Sequence, residues 1–464
     1  MFAGYTNAAE RRDKEMSEKI RIAVLNVENK RRKCAMNKDL NGGFGTLDSY
    51  SDTVCEEILM RSKKRYFNLP VLLLAFLMGI LKQKSIPARF YEGQSPDIEP
   101  EIILIYGSMV DYKNENFLCA QLKDKFKNAK IGFIGPFPSI KPELFKNGDF
   151  IIVGDFEYFF LKEFRDSGQL HGNVVVNEKI DLDELPSPEI EGFPLKKYHY
   201  FPLGSHSPFF TLLASRGCPY SCSYYCVYGK TQGNTLSVRS PKKVCGDILY
   251  LSHKYGVRTF QFRDAIFGAK KSYIEKLCDE IRSNNLKIRW GIEIRLDILD
   301  KRKVKIMYDA GLRSINTGVE TCNAEIATQN KRSLVRMAHQ EKLIRYCERI
   351  GVKISAFYLF GYEGDTKSSV AATLKYAKKL NTFLARFAVL TPYPSTEFFA
   401  KLEKEKRIIT YDYERYTQFN LVFKHNDLTE KDMRDMISRA YREYYFRLRY
   451  IIKLVIWKIR EFWL

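Results

Sequence analysis

Residues Arg216–Tyr228 read RGCPYSCSYYCVY. Three cysteines, Cys218, Cys222 and Cys226, fall within nine residues, and Pro219 and the serines favour a loop. Thiolates close in sequence on a loop can converge on one inorganic centre, and thiolates are the usual ligands of iron–sulfur clusters. Three of them leave one iron of a four-iron cluster without a protein ligand, and an open position marks catalytic rather than structural metal sites. Two other readings compete: three unrelated loop thiols, or a structural zinc site. The other seven cysteines are scattered singly, which weakens the first. Zinc would want a fourth Cys or His nearby, and none lies within easy sequence reach.

Working outward, the loop follows the first of six strand candidates: Phe209–Ser215, Thr259–Arg263, Ile288–Arg295, Ser314–Glu320, Lys353–Gly361 and Ala385–Pro392. Helical patterns lie between them at Pro241–Tyr255, Lys271–Asn285, Leu299–Ala310, Leu334–Ile350 and Thr366–Leu380. Six β/α units in a row, joined by right-handed crossovers, predict a partial (β/α)6 barrel over 208–400, with its chemistry at the carboxyl ends of the strands.

Before the barrel, a charged N-terminal arm (1–18) precedes a second α/β stretch, 19–181. Its strand candidates are Lys19–Val27, Ala88–Gly93, Glu101–Ser108, Lys130–Gly135 and Phe150–Gly154, with helices near Asn68–Lys82 and Asn116–Phe126. Short continuous apolar strands alternating with helices predict a Rossmann-like parallel sheet covered on both faces. Such a sheet binds ligands at the carboxyl ends of its strands. The Pro-rich, acidic and aromatic stretch 182–207 reads as a surface linker. A helical C-terminal region, 401–464, closes the chain. In its basic tail Met433, Ile437, Ala440, Tyr441, Tyr444, Leu448, Ile451, Ile452, Val455 and Ile459 recur at helical spacing. That single apolar face predicts a helix packed on the barrel. The competing reading is a membrane-surface helix anchored by Trp457, Phe462 and Trp463.

The 464 residues contain 76 Lys plus Arg and 55 Asp plus Glu, a net charge of +21. That excess attracts phosphorylated ligands, nucleic acid or an anionic membrane without choosing among them. The longest apolar run, Pro70–Leu81, is too short to span a bilayer, and the first residues lack the apolar core of a secretory signal. Together with unpaired cysteines, this predicts a cytoplasmic protein.

These motifs resemble the radical S-adenosylmethionine superfamily, and within it the cobalamin-dependent branch, over nearly the whole chain after the first twenty residues. The resemblance implies a [4Fe-4S] cluster on Cys218, Cys222 and Cys226, with S-adenosylmethionine chelating the open iron. One electron from the cluster would then generate a 5′-deoxyadenosyl radical. The family spacing is C-x3-C-x2-C with an aromatic before the third cysteine, whereas this chain has C-x3-C-x3-C. Cys226 is expected to remain the third ligand, with Tyr225 beside the adenine. By the same resemblance Asp264 and Glu293 would face the cofactor, Arg295 would pair with its carboxylate, and Glu320 would accept from ribose hydroxyls or the amino group. LTPYPST at Leu390–Thr396 resembles the family's TPYPGT with Ser395 in place of Gly, and Glu363 replaces a usual Pro.

In the first domain the resemblance assigns cobalamin contacts to Gly42, Gly43, Gly45, Ser108, Gly135, Gly154 and Glu157, with Asp155 replacing a family Glu. No histidine stands in a D-x-H-x-x-G pattern, so cobalt would lack a protein His ligand. The family implies a cobalamin placed over the open end of the barrel, and methylation of an unactivated carbon through methylcobalamin. Expected partners are a small-molecule, peptide or lipid-like substrate and an electron donor such as flavodoxin or ferredoxin, not DNA. Two alternatives stay open: cobalamin-assisted cyclisation, rearrangement or methylthiolation, and a cluster-degenerate cobalamin- or RNA-binding protein.

Overall fold

Short runs of β-branched and aromatic residues build the first of two compact units, whose parallel sheet has the order β2-β1-β3-β4-β5-β6. The strands are β1 (Ile22–Asn26), β2 (Ala88–Glu92), β3 (Ile102–Tyr106), β4 (Lys130–Ile134), β5 (Phe150–Gly154) and β6 (Gly172–Val176). The computed structural model describes residues 21–29, 37–39, 41–43, 57, 66–204 and 208–463, without the side chains of 223 and 460–463. Gly45 and the arm 1–18 lie outside the described residues, as do the side chains of Phe462 and Trp463. The central strand β3 is buried along its full length, as a sheet covered on both faces requires. The chain leaves β1 toward β2 on one side and returns to β3 on the other, so the direction of winding reverses at β1. Helix α1 (Leu72–Gln83) is buried all round from Leu72 to Leu81, the pattern of a helix inside a core.

Two expectations change here. Strand β6 is not among the sequence-predicted strands. It is an edge strand, mostly exposed, whose three valines form too short a run to read. The stretch read as a linker from 182 is instead bound to the first unit as far as Leu195. Leu182, Leu185, Ile190 and Phe193 are buried, Phe193 stacks on Phe90 at 3.7 Å, and the Glu189 N–H donates to the Ala75 carbonyl.

The second unit holds a sheet of six parallel strands in sequential order: β7 (Phe209–Leu212), β8 (Thr259–Phe262), β9 (Arg289–Glu293), β10 (Leu312–Glu320), β11 (Lys353–Phe360) and β12 (Leu384–Val389). Each pair is parallel, so all six carboxyl ends lie on one edge. Between them run α2 (Pro241–Tyr255), α3 (Tyr273–Ser283), α4 (Lys301–Asp309), α5 (Met337–Ile350) and α6 (Lys367–Leu380). Residues Phe67–Asn68 pair antiparallel with His199–Tyr200 and belong to this unit.

Register divides the sheet into two chemically different faces. Thr211, Gln261, Gly291 and Ser314 are neighbours across four strands, and Asn316 pairs with Ser355. The other face carries Phe210, Phe260, Ile315, Ile354, Tyr358 and Phe387, all buried. Phe387 meets Tyr441 and Tyr444 of α8 (Glu430–Tyr445), which follows α7 (Glu397–Lys404). The apolar face therefore packs helices, and the polar face is the interior of the barrel-like layer.

The predicted single tail helix is two helices, α8 and α9 (Leu448–Trp463). Met433, Ile437, Ala440, Tyr441 and Tyr444 of α8 are buried. Leu448, Ile451, Ile452, Val455 and Ile459, assigned by periodicity to the same face, are exposed.

Beside β7, Arg239 and Asp247 form a buried two-point ion pair, Nε–Oδ2 2.9 Å and Nη2–Oδ1 3.1 Å. Removing one partner takes away the two-point charge contact of a buried side chain. Asp247→Ala should therefore cost about 3–5 kcal/mol, read as a lowered urea midpoint at unchanged m-value.

Candidate functional site

The cysteine loop owes its shape to restraints at both ends. At its start, the fully buried Asp264 carboxylate accepts from the Ala214 N–H at 3.1 Å and the Ser215 hydroxyl at 2.6 Å. Residues Ser215–Arg216 then pair antiparallel with Ser237–Val238. Gly217 follows at φ +87°, where a Cβ would lie 1.9 Å from the Thr235 carbonyl oxygen, so only glycine fits. The Cys218 N–H donates to the Gly233 carbonyl at 3.0 Å, closing the loop.

The extra residue is taken up in a helical turn. Ser221–Tyr224 is one 3-10 turn, and the Tyr225 and Cys226 N–H groups both donate to the Cys222 carbonyl, at 3.1 and 2.9 Å. Cys222 and Cys226 are thus one turn apart, a spacing that puts side chains on the same side. The two neighbouring tyrosines each find a partner. Tyr224 packs on Phe398, and Tyr225 meets Tyr362 with a 2.9 Å hydrogen bond between the hydroxyls.

Cys222 is buried, and Cys218 and Cys226 are half-buried. Burial first, then charge on Cys222, pushes the Cys226 thiol up to about 12. Burial also raises Cys218. The N–H groups of Tyr220 and Tyr228 act against this, on Cys218 and Cys226 respectively. Thiols so arranged lose their protons to a metal rather than to water. Among the described residues no three His, Cys, Asp or Glu side chains are drawn around a single-ion position. A four-iron cube asks for something else, one sulfur at each of three corners.

Arg332 links this turn to the next strand ends. Its Nη1 donates to the Cys222 sulfur at 3.5 Å, and its Nη2 lies 3.2 Å from Glu320 Oε1. Tyr362 donates to Glu320 Oε2 at 3.4 Å. Cys222, Arg332, Glu320, Tyr362 and Tyr225 therefore form one network. Glu320 holds φ +68°, and its carboxylate folds back over Gly318, whose absent Cβ would lie 2.2 Å from Oε1.

The structure thus brings Tyr225 and Glu320 together beside the cysteines. Glu293 is at the β9 end, in an ion pair with Arg263 and accepting from Tyr228 at 3.2 Å and Asn316 at 3.2 Å. Arg295 is engaged by Asp297 (Nη2–Oδ2 2.6 Å), donates to the Ser333 carbonyl at 3.2 Å, and covers the Tyr220 ring at 4.5 Å. Asp264, expected to face a cofactor, is turned inward and wholly used in holding the loop's start. Arg332, Tyr362, Arg263 and Asn316 escaped the sequence reading. Arg332 sits in a basic stretch, KRS, that looks like ordinary surface.

In the first unit, Ser108 differs most from expectation. It is fully buried, and its N–H and hydroxyl both donate to Glu115, at 2.7 and 2.6 Å, so it serves the scaffold. Lys38 reaches the same carboxylate at 2.6 Å and the Val27 carbonyl at 2.7 Å. Burial pushes Glu115 up to about 7, with Lys38 pulling it down. Gly42 and Gly43 have positive φ and close a turn after β1, and a Cβ on Gly43 would strike Val110. Gly135 and Gly154 stand at the ends of β4 and β5, bridged by the Ser139 hydroxyl, which accepts from the Gly154 N–H and donates to the Gly135 carbonyl. Glu157 is buried in the turn after β5, which Asp155 caps.

Buried polar atoms that the chain leaves unused test whether ligands fit. Among the described residues Thr211 Oγ1, Gln261 Oε1, Ser314 Oγ, Ser355 Oγ and Arg332 Nε have no hydrogen-bond partner. That capacity, four atoms on the polar face and one beside the cysteine turn, suits a polar ligand such as S-adenosylmethionine. At the β1 end of the first unit, Asn26 Oδ1 is likewise unused, an acceptor suited to the amide-rich rim of a corrin.

No model of a known protein family matches the chain. The chain is 23% identical over 418 residues to an uncharacterized methyltransferase of Pyrococcus horikoshii, covering 83% of this chain and 89% of that one. It is 28% identical over 289 residues to the anaerobic magnesium-protoporphyrin IX monomethyl ester cyclase of Cereibacter sphaeroides. That match covers 61% of this chain and under half, 46%, of the cyclase. Its fold is that of the radical S-adenosylmethionine methyltransferase TsrM of Kitasatospora setae, solved with cobalamin and a [4Fe-4S] cluster bound. The TM-score is 0.62 at 14% identity, over 83% of this chain and 78% of that one. In sequence the chain is thus similar to a named methyltransferase and a cyclase, and in fold to a radical S-adenosylmethionine methyltransferase.

Burial raises Asp264 from 3.8 to about 7, so between those values the folded chain holds a proton that the unfolded chain releases. Its contribution is fully present below pH about 4 and is lost as pH rises through about 7. Asp264→Asn should lose this slope, so its stability relative to the parent rises with pH when both are followed by urea unfolding from pH 4 to 8. An unchanged slope would contradict the assignment.

Proposed function

We propose that this chain, like the cobalamin-dependent radical S-adenosylmethionine enzymes it resembles, is such an enzyme and methylates an unactivated carbon of its substrate. One observation carries the reading. Three cysteines on one restrained loop stand at the carboxyl edge of a six-stranded parallel sheet, tied through Arg332 to Glu320 at another strand end. Cys218, Cys222 and Cys226 would hold the [4Fe-4S] cluster, and Asn26 with the turn at Gly42–Gly43 would meet cobalamin. When bound, the cluster supplies the electron that splits the C–S bond of S-adenosylmethionine, and cobalamin supplies a methyl donor.

The chain's own residues supply charge balance and orientation. Arg332 sets a fixed positive charge beside the Cys222 sulfur, offsetting thiolate charge. Glu320, held by Arg332 and Tyr362, presents an acceptor for the ammonium or ribose hydroxyls of S-adenosylmethionine. Arg295 can take the cofactor carboxylate by exchanging it for Asp297 in the same fork. The unused hydroxyls of Thr211, Ser314 and Ser355 line the polar face. A flavodoxin- or ferredoxin-type donor would supply the electrons. The likeness to the cyclase favours a second outcome, ring closure by the same radical chemistry.

Anaerobic reconstitution should yield about four iron and four sulfide per chain. With a reductant, the protein should then form 5′-deoxyadenosine from S-adenosylmethionine. Cys226→Ala should lose most of the iron and all of the cleavage. Full iron content in that variant would overturn Cys226 as the third ligand, and no cluster in the parent would overturn the enzyme reading. Transfer of label from methyl-labelled S-adenosylmethionine into product separates methylation from ring closure.

A further inference from the structure

Helix α9 docks on the second unit by one narrow side only. Trp457 packs edge-on against Phe383 at 5.6 Å, the Tyr450 hydroxyl donates to the Phe383 carbonyl at 2.7 Å, and Lys453 pairs with Glu348. The opposite side exposes Leu448, Ile451, Ile452, Val455, Ile456 and Ile459, each between 46% and 73% accessible. At 3.6 residues per turn these six form one stripe about 140° wide and about 16 Å long. A stripe of large aliphatic residues is not what a helix needs merely to pack on its own barrel, because its packing side is already occupied.

The margins of the stripe are basic. By helical rotation Arg449 borders it beyond Ile456, and Lys458 borders it beyond Ile451. Both are exposed, and neither has an ion-pair partner among the described residues. The helix carries one acidic residue by sequence, Glu461, in a chain of net charge +21. An apolar stripe flanked by cations on both sides matches the chemistry of an anionic bilayer surface, with aliphatic chains at the acyl boundary and cations at the headgroups. A second copy of this chain would bring the same cations face to face. We propose that α9 is a membrane-surface helix that seats the protein on anionic lipid through Leu448, Ile451, Ile452, Val455, Ile456 and Ile459. Among the described residues no helix is long and apolar enough to cross a membrane, so the contact is lateral.

The test uses the full chain and does not depend on any cofactor. The protein should float with vesicles of phosphatidylglycerol and phosphatidylcholine and stay behind with phosphatidylcholine alone. Salt at about 0.5 M should weaken binding, because headgroup attraction is screened. Ile452→Glu with Val455→Glu, at exposed positions, should keep the parent's thermal midpoint and lose affinity by about tenfold or more. Arg449→Glu with Lys458→Glu should lose the preference for anionic vesicles. Absence of binding by the parent, or binding unchanged in the Ile452/Val455 variant, would overturn the proposal. So would a dimer in sedimentation that this variant dissolves, because the stripe would then belong to a second copy.

Discussion

A segment of twenty residues between the paired strands at Ser215–Arg216 and Ser237–Val238 could not hold three sulfurs in register by itself, since each free residue costs about 1–2 kcal/mol of backbone entropy to fix. Asp264 removes much of that freedom. By taking the Ala214 N–H and the Ser215 hydroxyl it joins the ends of the first two barrel strands where the loop departs. Gly217 then lets the backbone pass the Thr235 carbonyl, and the Cys218 N–H closes on Gly233. With both ends fixed, one helical turn is enough to align Cys222 with Cys226, and a spacing one residue longer than the family's becomes a change in the turn alone.

The same economy explains which parts were legible in the sequence. Helix α2 carries all of its signals locally: Ser240 caps it, Pro241 opens it, and Gly256 ends it in the left-handed conformation. Its bounds were readable to the residue. The alternation of strand and helix was readable for the same reason. Arg332 was not, because its significance lies in contact with a sulfur 110 residues away. Nor was the true role of Asp264 or Ser108, since a polar residue at a strand end reads alike whether it faces a ligand or clamps its neighbour. In the tail the period was right and the partner wrong. Helical spacing continues across Phe446 and Arg447, where the helix breaks without glycine or proline, and beyond the break the stripe faces out instead of in.

The division of the barrel sheet into two faces connects packing to chemistry. On the helix side, Tyr358 and Phe387 stack at 5.3 Å, and α8 adds Tyr441 and Tyr444. That side supplies the hydrophobic stabilisation, at roughly 25 cal/mol per Å² of apolar area removed from water. The other side can then afford small and polar residues, including four whose hydrogen-bonding atoms the chain leaves unused. Buried polar atoms without partners cost about 1–3 kcal/mol each, so they are tolerable where water or a ligand completes them.

Backbone strain is distributed by the same logic. Ser85, Asn285, Lys331, Asn381 and Lys406 take positive φ just past helix ends, an ordinary place for it. Glu320 and Ser395 do so away from helix ends, at φ +68° and +69°, on the last residue of β10 and in the loop after β12. At Ser395 this chain bears about 1–2 kcal/mol that a glycine there would avoid. At Glu320 the conformation has a visible consequence. It turns the carboxylate back over Gly318 to meet Arg332, and the ion pair with the Tyr362 hydrogen bond holds it there. The left-handed residue thus stands where the strand end meets the cysteine turn, its carboxylate paired with the guanidinium that also touches Cys222.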